Sequence, residues 1–136
     1  MYTIGRLAHR AGVTADSIRF YERKGLLRPA TKTASGYHLY DTDALRRLAF
    51  IKEAQRCGFN LAEINELLDT SADDERARAG RTDLAKRKLV EVRQSMEALA
   101  RMERALLMLL EAPAEPPKTL HDVPIIIALE TVRSAE

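Results

Sequence analysis

Thr3-Ile4-Gly5-Arg6-Leu7-Ala8-His9-Arg10-Ala11-Gly12-Val13-Thr14-Ala15-Asp16-Ser17-Ile18-Arg19-Phe20-Tyr21-Glu22-Arg23-Lys24-Gly25 holds two short segments, each opened by a threonine and closed by a glycine. A threonine hydroxyl can accept a hydrogen bond from a free amide at a helix start, and glycine adopts the left-handed conformation that ends a helix. Ile4, Leu7 and Ala8 share one face of the first segment; Ile18 and Tyr21, with Phe20 beside them, mark the inward face of the second. The Ala11-Gly12-Val13 link has room only for a tight turn. The spacing predicts a helix-turn-helix.

Working outward, Pro29, the polar run from Thr31 to Ser35, the Ser35-Gly36 pair and the alternating Tyr37-His38-Leu39-Tyr40 predict a β-hairpin wing that turns at Ser35-Gly36. Asp41 or Thr42 caps a third helix with Leu45, Leu48, Ala49, Ile51, Ala54 and Cys57 as its apolar residues, and Gly58 ends it. Asn60 caps a fourth, Leu61 to Leu68, which buries Leu61, Ile64 and Leu67 or Leu68. The polar stretch from Thr70 to Asp83 reads as a loop or a frayed start of a helix. From about Leu84 the period changes. Ala85, Leu89, Val92, Met96, Leu99, Glu103, Leu106 and Leu110 alternate steps of four and three, and all but Glu103 are apolar. That is the seam of a coiled coil of about four heptads. Packing in cis is the alternative, but the head has too few spare apolar faces to cover such a stripe. The Ala112 to Pro117 segment breaks the long helix, and Val123 to Leu129 forms a short closing helix with Pro124 in its first turn.

The expected architecture is therefore mainly α. A winged helix-turn-helix head with a small β-hairpin wing occupies residues 1–69, and a connecting loop or start of a helix 70–83. A long antiparallel coiled-coil dimerisation helix occupies 84–111, and an effector-type loop with a short helix 112–136.

Charge is distributed unevenly. Residues 1–40 carry seven Lys or Arg against Asp16 and Glu22, a net +5, so the whole-chain charge of +2 leaves −3 for the rest. A basic head on a slightly acidic body suits one end to phosphates. The longest apolar run, Ala105 to Leu110, cannot span a bilayer, and no stretch near the start has signal-peptide length, so a cytoplasmic, nucleoid-associated protein is expected. No nucleophile–base pair, phosphate loop or metal-ligand cluster is evident, which argues against an enzyme and against a bound cofactor. With Cys57 as the one cysteine, an intrachain disulfide and any multi-cysteine metal site within one chain are excluded.

The ordered set Tyr2-Thr3-Ile4-Gly5-Arg6-Leu7-Ala8, Gly12-Val13-Thr14, Ile18-Arg19-Phe20-Tyr21-Glu22-Arg23-Lys24-Gly25-Leu26-Leu27, Gly36-Tyr37, Tyr40, Phe50-Ile51-Lys52-Glu53-Ala54-Gln55-Arg56 and Gly58-Phe59-Asn60-Leu61 closely resembles the head of the MerR family. Pro124-Ile125-Ile126 resembles the tail of its metal-sensing members. The resemblance implies a homodimeric transcriptional regulator that binds a pseudo-palindromic promoter operator and distorts the duplex so that RNA polymerase can use it. It places Thr14, Asp16, Ser17, Arg19 and Tyr21 near bases or phosphates, with Arg19 on either a guanine edge or a phosphate. Lys32, Tyr37 and His38 of the wing would meet the backbone. Many relatives have arginine where Lys32 and His38 stand. Leu89, Val92, Met96, Leu99, Leu106 and Leu110 would form the dimer seam.

The resemblance to the metal-sensing members implies cysteine thiolates in the loop after the long helix, plus one residue at that helix's start. Here those positions fall on Pro113, Val123 and near Arg78, none of which offers sulfur. His121 and Asp122 beside them are two donors without a third, and read as incidental surface groups. Cys57 reads first as a small core residue. The sharper reading is a thiol or electrophile sensor, prompted by the nearby cations Lys52 and Arg56. The competing function is an architectural DNA-binding or protein-interaction module without promoter control.

Overall fold

In the computed structural model, which describes residues 1–71, 73–112 and 123–134, the two threonines act as helix caps. Strand β1 (Tyr2–Thr3) leads into α1 (Ile4–Ala11), where the Arg6 amide donates to Thr3 Oγ1 at 3.3 Å. The helix ends on Gly12, whose φ of 68° lies in the left-handed region that side chains with a Cβ seldom adopt. Helix α2 (Ala15–Arg23) starts on Thr14, with the Ser17 amide donating to Thr14 Oγ1 at 3.1 Å. The helix-turn-helix expected from the sequence is present.

The wing consists of β2 (Thr31–Lys32) and β3 (His38–Tyr40), antiparallel, with Thr31 opposite Leu39 and Lys32 opposite His38. Its turn is closed by the Gly36 amide on Thr33 O at 2.9 Å and the Thr33 amide on Tyr37 O at 2.7 Å. β1 adds a third strand on the other side of β3, pairing Tyr2 with Tyr40 and Thr3 with Leu39. Two residues are too few for any periodicity, so this strand could not be read from the sequence.

Helix α3 (Thr42–Arg56) is capped by the Asp41 carboxylate, and α4 (Leu61–Leu68) opens on a reciprocal capping box between Asn60 and Glu63. Leu7, Ile18, Leu26, Leu27, Tyr40, Leu48, Ile51 and Ile64 form the buried centre, drawn from α1, α2, the wing, α3, α4 and the segment after α2. Each such side chain contributes about 1.5–3 kcal/mol on leaving water. Lys52 adds a polar tie: its ammonium donates to the carbonyls of Ala11 (3.1 Å) and Gly12 (3.3 Å), fastening α3 to the turn that sets α1 against α2.

The long helix corrects the expected boundary. α5 runs from Glu75 to Glu111 rather than starting near Leu84. Asp74 initiates it, accepting from the Ala77 amide at 2.7 Å, and Arg81 reaches the Asp73 carboxylate at 2.8 Å. The polarity of residues 75–83 belongs to a solvated helix surface, not to a loop.

Two compact units are distinguished, Met1–Ala85 and Lys86–Glu136. In the second, α6 (Pro124–Ser134) begins on Pro124, and Ala105, Ala128 and Val132 are buried. Pro113, His121, Asp122 and the expected helix break after Ala112 lie outside the described residues. Among the described residues, no helix is long and apolar enough to cross a membrane.

Candidate nucleic-acid interface

Helix α2 owes its orientation to its apolar side. Ile18 is fully buried and Tyr21 nearly so, which turns Thr14, Asp16, Arg19 and Arg23 outward. Thr14 Oγ1 and Ser17 Oγ lie 2.9 Å apart at the first turn, where the unpaired amides and the positive end of the helix dipole favour a phosphate. The Arg19 guanidinium pairs with Asp16 at 2.9 Å. With side-chain exposures of 54% and 93%, this i,i+3 pair is a weak tether that a base edge or phosphate can displace.

Arg19 and Arg23 of α2 border a groove of 520 Å³ whose other wall is the wing, with Tyr37, His38 and Tyr40. Tyr37 projects, being 73% exposed. Arg23 also stacks over Phe20, its guanidinium 5.9 Å from the ring centre. At the bottom of the wing the Glu22 carboxylate accepts from the Tyr40 hydroxyl and lies 3.3 Å from His38 Nδ1, through the same oxygen Oε1. Burial, and then that bond to Glu22, raise the Tyr40 phenol far above its ordinary range, so the hydroxyl stays protonated and donating.

The structure therefore brings Arg19, Tyr37 and His38 together, while Thr14, Asp16 and Ser17 sit along the N-terminal part of the same helix. Lys32 is exposed on the neighbouring strand, opposite His38. Tyr21 is a correction: its ring packs in the core and its hydroxyl donates to Gln55 Oε1 at 3.1 Å, so it supports α2 from behind instead of facing a duplex. Helical spacing already put Tyr21 on the Ile18 face, and the structure keeps it there, 8% exposed. Glu22 and Arg23 were missed. Their signal was the spacing itself, three and four residues beyond Arg19.

Cys57 is a second correction. It is exposed, at the C-terminal cap of α3, because the apolar face of that helix ends with Ala54 and the chain turns away at Gly58. Arg78 is engaged with its own helix start: its Nε lies 3.8 Å from Asp73 and 3.4 Å from the Asp74 carbonyl. Among the described residues no three His, Cys, Asp or Glu side chains are grouped to hold a metal. Along α5, Leu89, Met96, Leu99, Leu106 and Leu110 are exposed in the single chain and Val92 is half-buried.

The family described as "MerR HTH family regulatory protein" matches residues 2–71, and that described as "MerR, DNA binding" matches residues 45–109. The mercuric resistance operon regulatory protein of Bacillus cereus is 38% identical over 94% of this chain and 96% of its own length. Among solved structures, the transcription regulator PbrR691 from Ralstonia metallidurans CH34, in complex with lead(II), is 31% identical at a TM-score of 0.56, over 95% of this chain and 99% of that one. HiNmlR, a MerR family regulator lacking the sensor domain and bound to promoter DNA, shares the fold at a TM-score of 0.66 and 24% identity, over 81% of this chain and 84% of that one.

Proposed function

The chain belongs to the MerR family of transcriptional regulators, not to any enzyme class, and from that premise we propose that it acts on promoter DNA as a homodimer. Two copies pair through antiparallel α5 helices along Leu89, Val92, Met96, Leu99, Leu106 and Leu110. Each presents one α2 to a major groove of a pseudo-palindromic operator. Arg19 reads a guanine edge or clamps a phosphate; Thr14, Ser17 and the first-turn amides hold the backbone on one side of the groove, and Tyr37, Lys32 and His38 hold it on the other. Gripping both half-sites while the dimer fixes their separation supplies the energy to distort the intervening duplex, which RNA polymerase then meets in altered form.

The observation that carries this reading is the convergence of Arg19, Arg23, Tyr37 and His38 on one groove between α2 and the wing. A recognition helix flanked by a backbone-gripping hairpin needs such an arrangement. The donors do not fit a soft metal ion: Val123 is apolar, Arg78 is a cation already paired, and Cys57 lies in the head.

The test selects an operator from a randomised duplex library with the wild-type protein, then compares Arg19→Ala on the selected duplex. A loss of about 1–3 kcal/mol is expected if Arg19 makes a bidentate or clamped contact. Unchanged affinity across a salt titration removes Arg19 from the DNA-facing surface.

A further inference from the structure

One carboxylate oxygen joins the two halves of the proposed DNA surface. Glu22 extends from α2, and its Oε1 meets both the Tyr40 hydroxyl and His38 Nδ1, two side chains on the same face of β3. We propose that Glu22 is the positioning residue that holds the wing in register with α2, with a strength set by the protonation of His38, so that DNA is held more tightly as pH falls. This rests on the reading of α2 and the wing as the DNA-binding surface.

The two donors to Glu22 differ in kind. Tyr40 is fully buried, and its hydroxyl keeps its proton, so this bond is constant. His38 is on the partly exposed side of the wing, with 35% of its side chain accessible, against 17% for Glu22. A neutral imidazole can offer Nδ1–H to Glu22 in only one of its tautomers. Imidazolium does so obligatorily, forming a charge-assisted bond roughly twice as strong as a neutral one. It also cancels a carboxylate charge beside the path of the phosphates. Of the other charged groups at this point, Arg19 and Arg23 come from α2 and Lys32 stands opposite His38 on β2; all are cations and stay so while histidines titrate. The β1 and α1 residues bordering the groove, Thr3 and Ile4, carry no charge. Among these side-chain types, the imidazole is the one whose charge changes between about pH 6 and about pH 8.

The test measures affinity for the selected operator at about pH 6 and about pH 8, at constant salt. Four variants are compared with wild type: Glu22→Gln, His38→Arg, Arg19→Ala and, as a control that does not line the groove, His9→Asn. Wild type and His9→Asn should bind about threefold to tenfold more tightly at the lower pH. His38→Arg should bind tightly at both, since its charge is permanent. Glu22→Gln should bind more weakly at the lower pH and lose most of the pH dependence. A Glu22→Gln protein that keeps the full pH dependence shows that His38 acts on phosphate directly, and overturns the inference. So does a His38→Arg protein with the wild-type pH profile, which decides the matter alone should Glu22→Gln fail to fold. If Arg19→Ala loses binding while Glu22→Gln matches wild type, the DNA reading stands and the inference falls; a wild type that selects no duplex removes both.

Discussion

Leu99 lies at the middle of the α5 stripe and is 69% exposed in the single chain. Fully burying a leucine side chain is worth about 1.5–3 kcal/mol, so covering the exposed part returns about 1–2 kcal/mol per chain. Both chains of a homodimer carry the residue, and Leu99→Ala should cost the pair about 2–4 kcal/mol. That corresponds to a dimer dissociation constant raised about thirtyfold to several hundredfold. Leu99→Lys should go further, because the seam would have to desolvate two ammonium groups or open. Met96, one turn away, is 63% exposed and offers Leu99 no cover within the single chain. Sedimentation equilibrium over a range of loading concentrations measures the constant directly. Gln94→Ala, an exposed position off the stripe, serves as the control. A Leu99→Ala constant within about threefold of wild type would place Leu99 outside the dimer contact, and a monomeric wild type would remove the seam altogether.

Two further outcomes are expected. Lys52→Met removes both bonds to the α1–α2 turn and should lower the urea midpoint by an amount equivalent to about 1–2 kcal/mol; an unchanged midpoint would mean those carbonyls are equally well served by water. Anaerobic titration against a competing chelator should find no tight, stoichiometric Cu(I), Ag(I) or Hg(II), and any residual binding should disappear in Cys57→Ser. Binding that survives that substitution would show that the tail positions assigned to Pro113 and Val123 are misaligned.

Much of the head was legible because its signals are local. Thr3, Thr14, Asp41 and Asn60 cap the helices they introduce, and Gly12 takes the left-handed conformation at the turn. What was not legible depends on partners distant in sequence. β1 exists because β3, nearly forty residues on, offers a free edge to Tyr2 and Thr3. Tyr21 has a polar tip that suits DNA, but Gln55 on α3 claims that hydroxyl. The Glu22–His38–Tyr40 cluster spans two elements and leaves no spacing signature. Cys57 sits in step with Ala54 in the sequence, yet the helix ends before its side chain can reach the core. The onset of α5 at Glu75 was obscured for a different reason: a mostly charged, mostly solvated first turn has no apolar period to detect, only the Asp74 cap.

The central claim, that two chains place paired α2 helices in the major groove, is tested most directly by hydroxyl-radical footprinting and methylation interference on the selected operator, combined with the stoichiometry of the complex. A dimer that grips both half-sites predicts two chains per duplex. It also predicts interference at guanine N7 in two symmetry-related patches facing the same side of the duplex, and backbone protection beside each patch where Tyr37 and Lys32 of the wing would lie. One chain per duplex, or backbone protection without any major-groove interference, would contradict it.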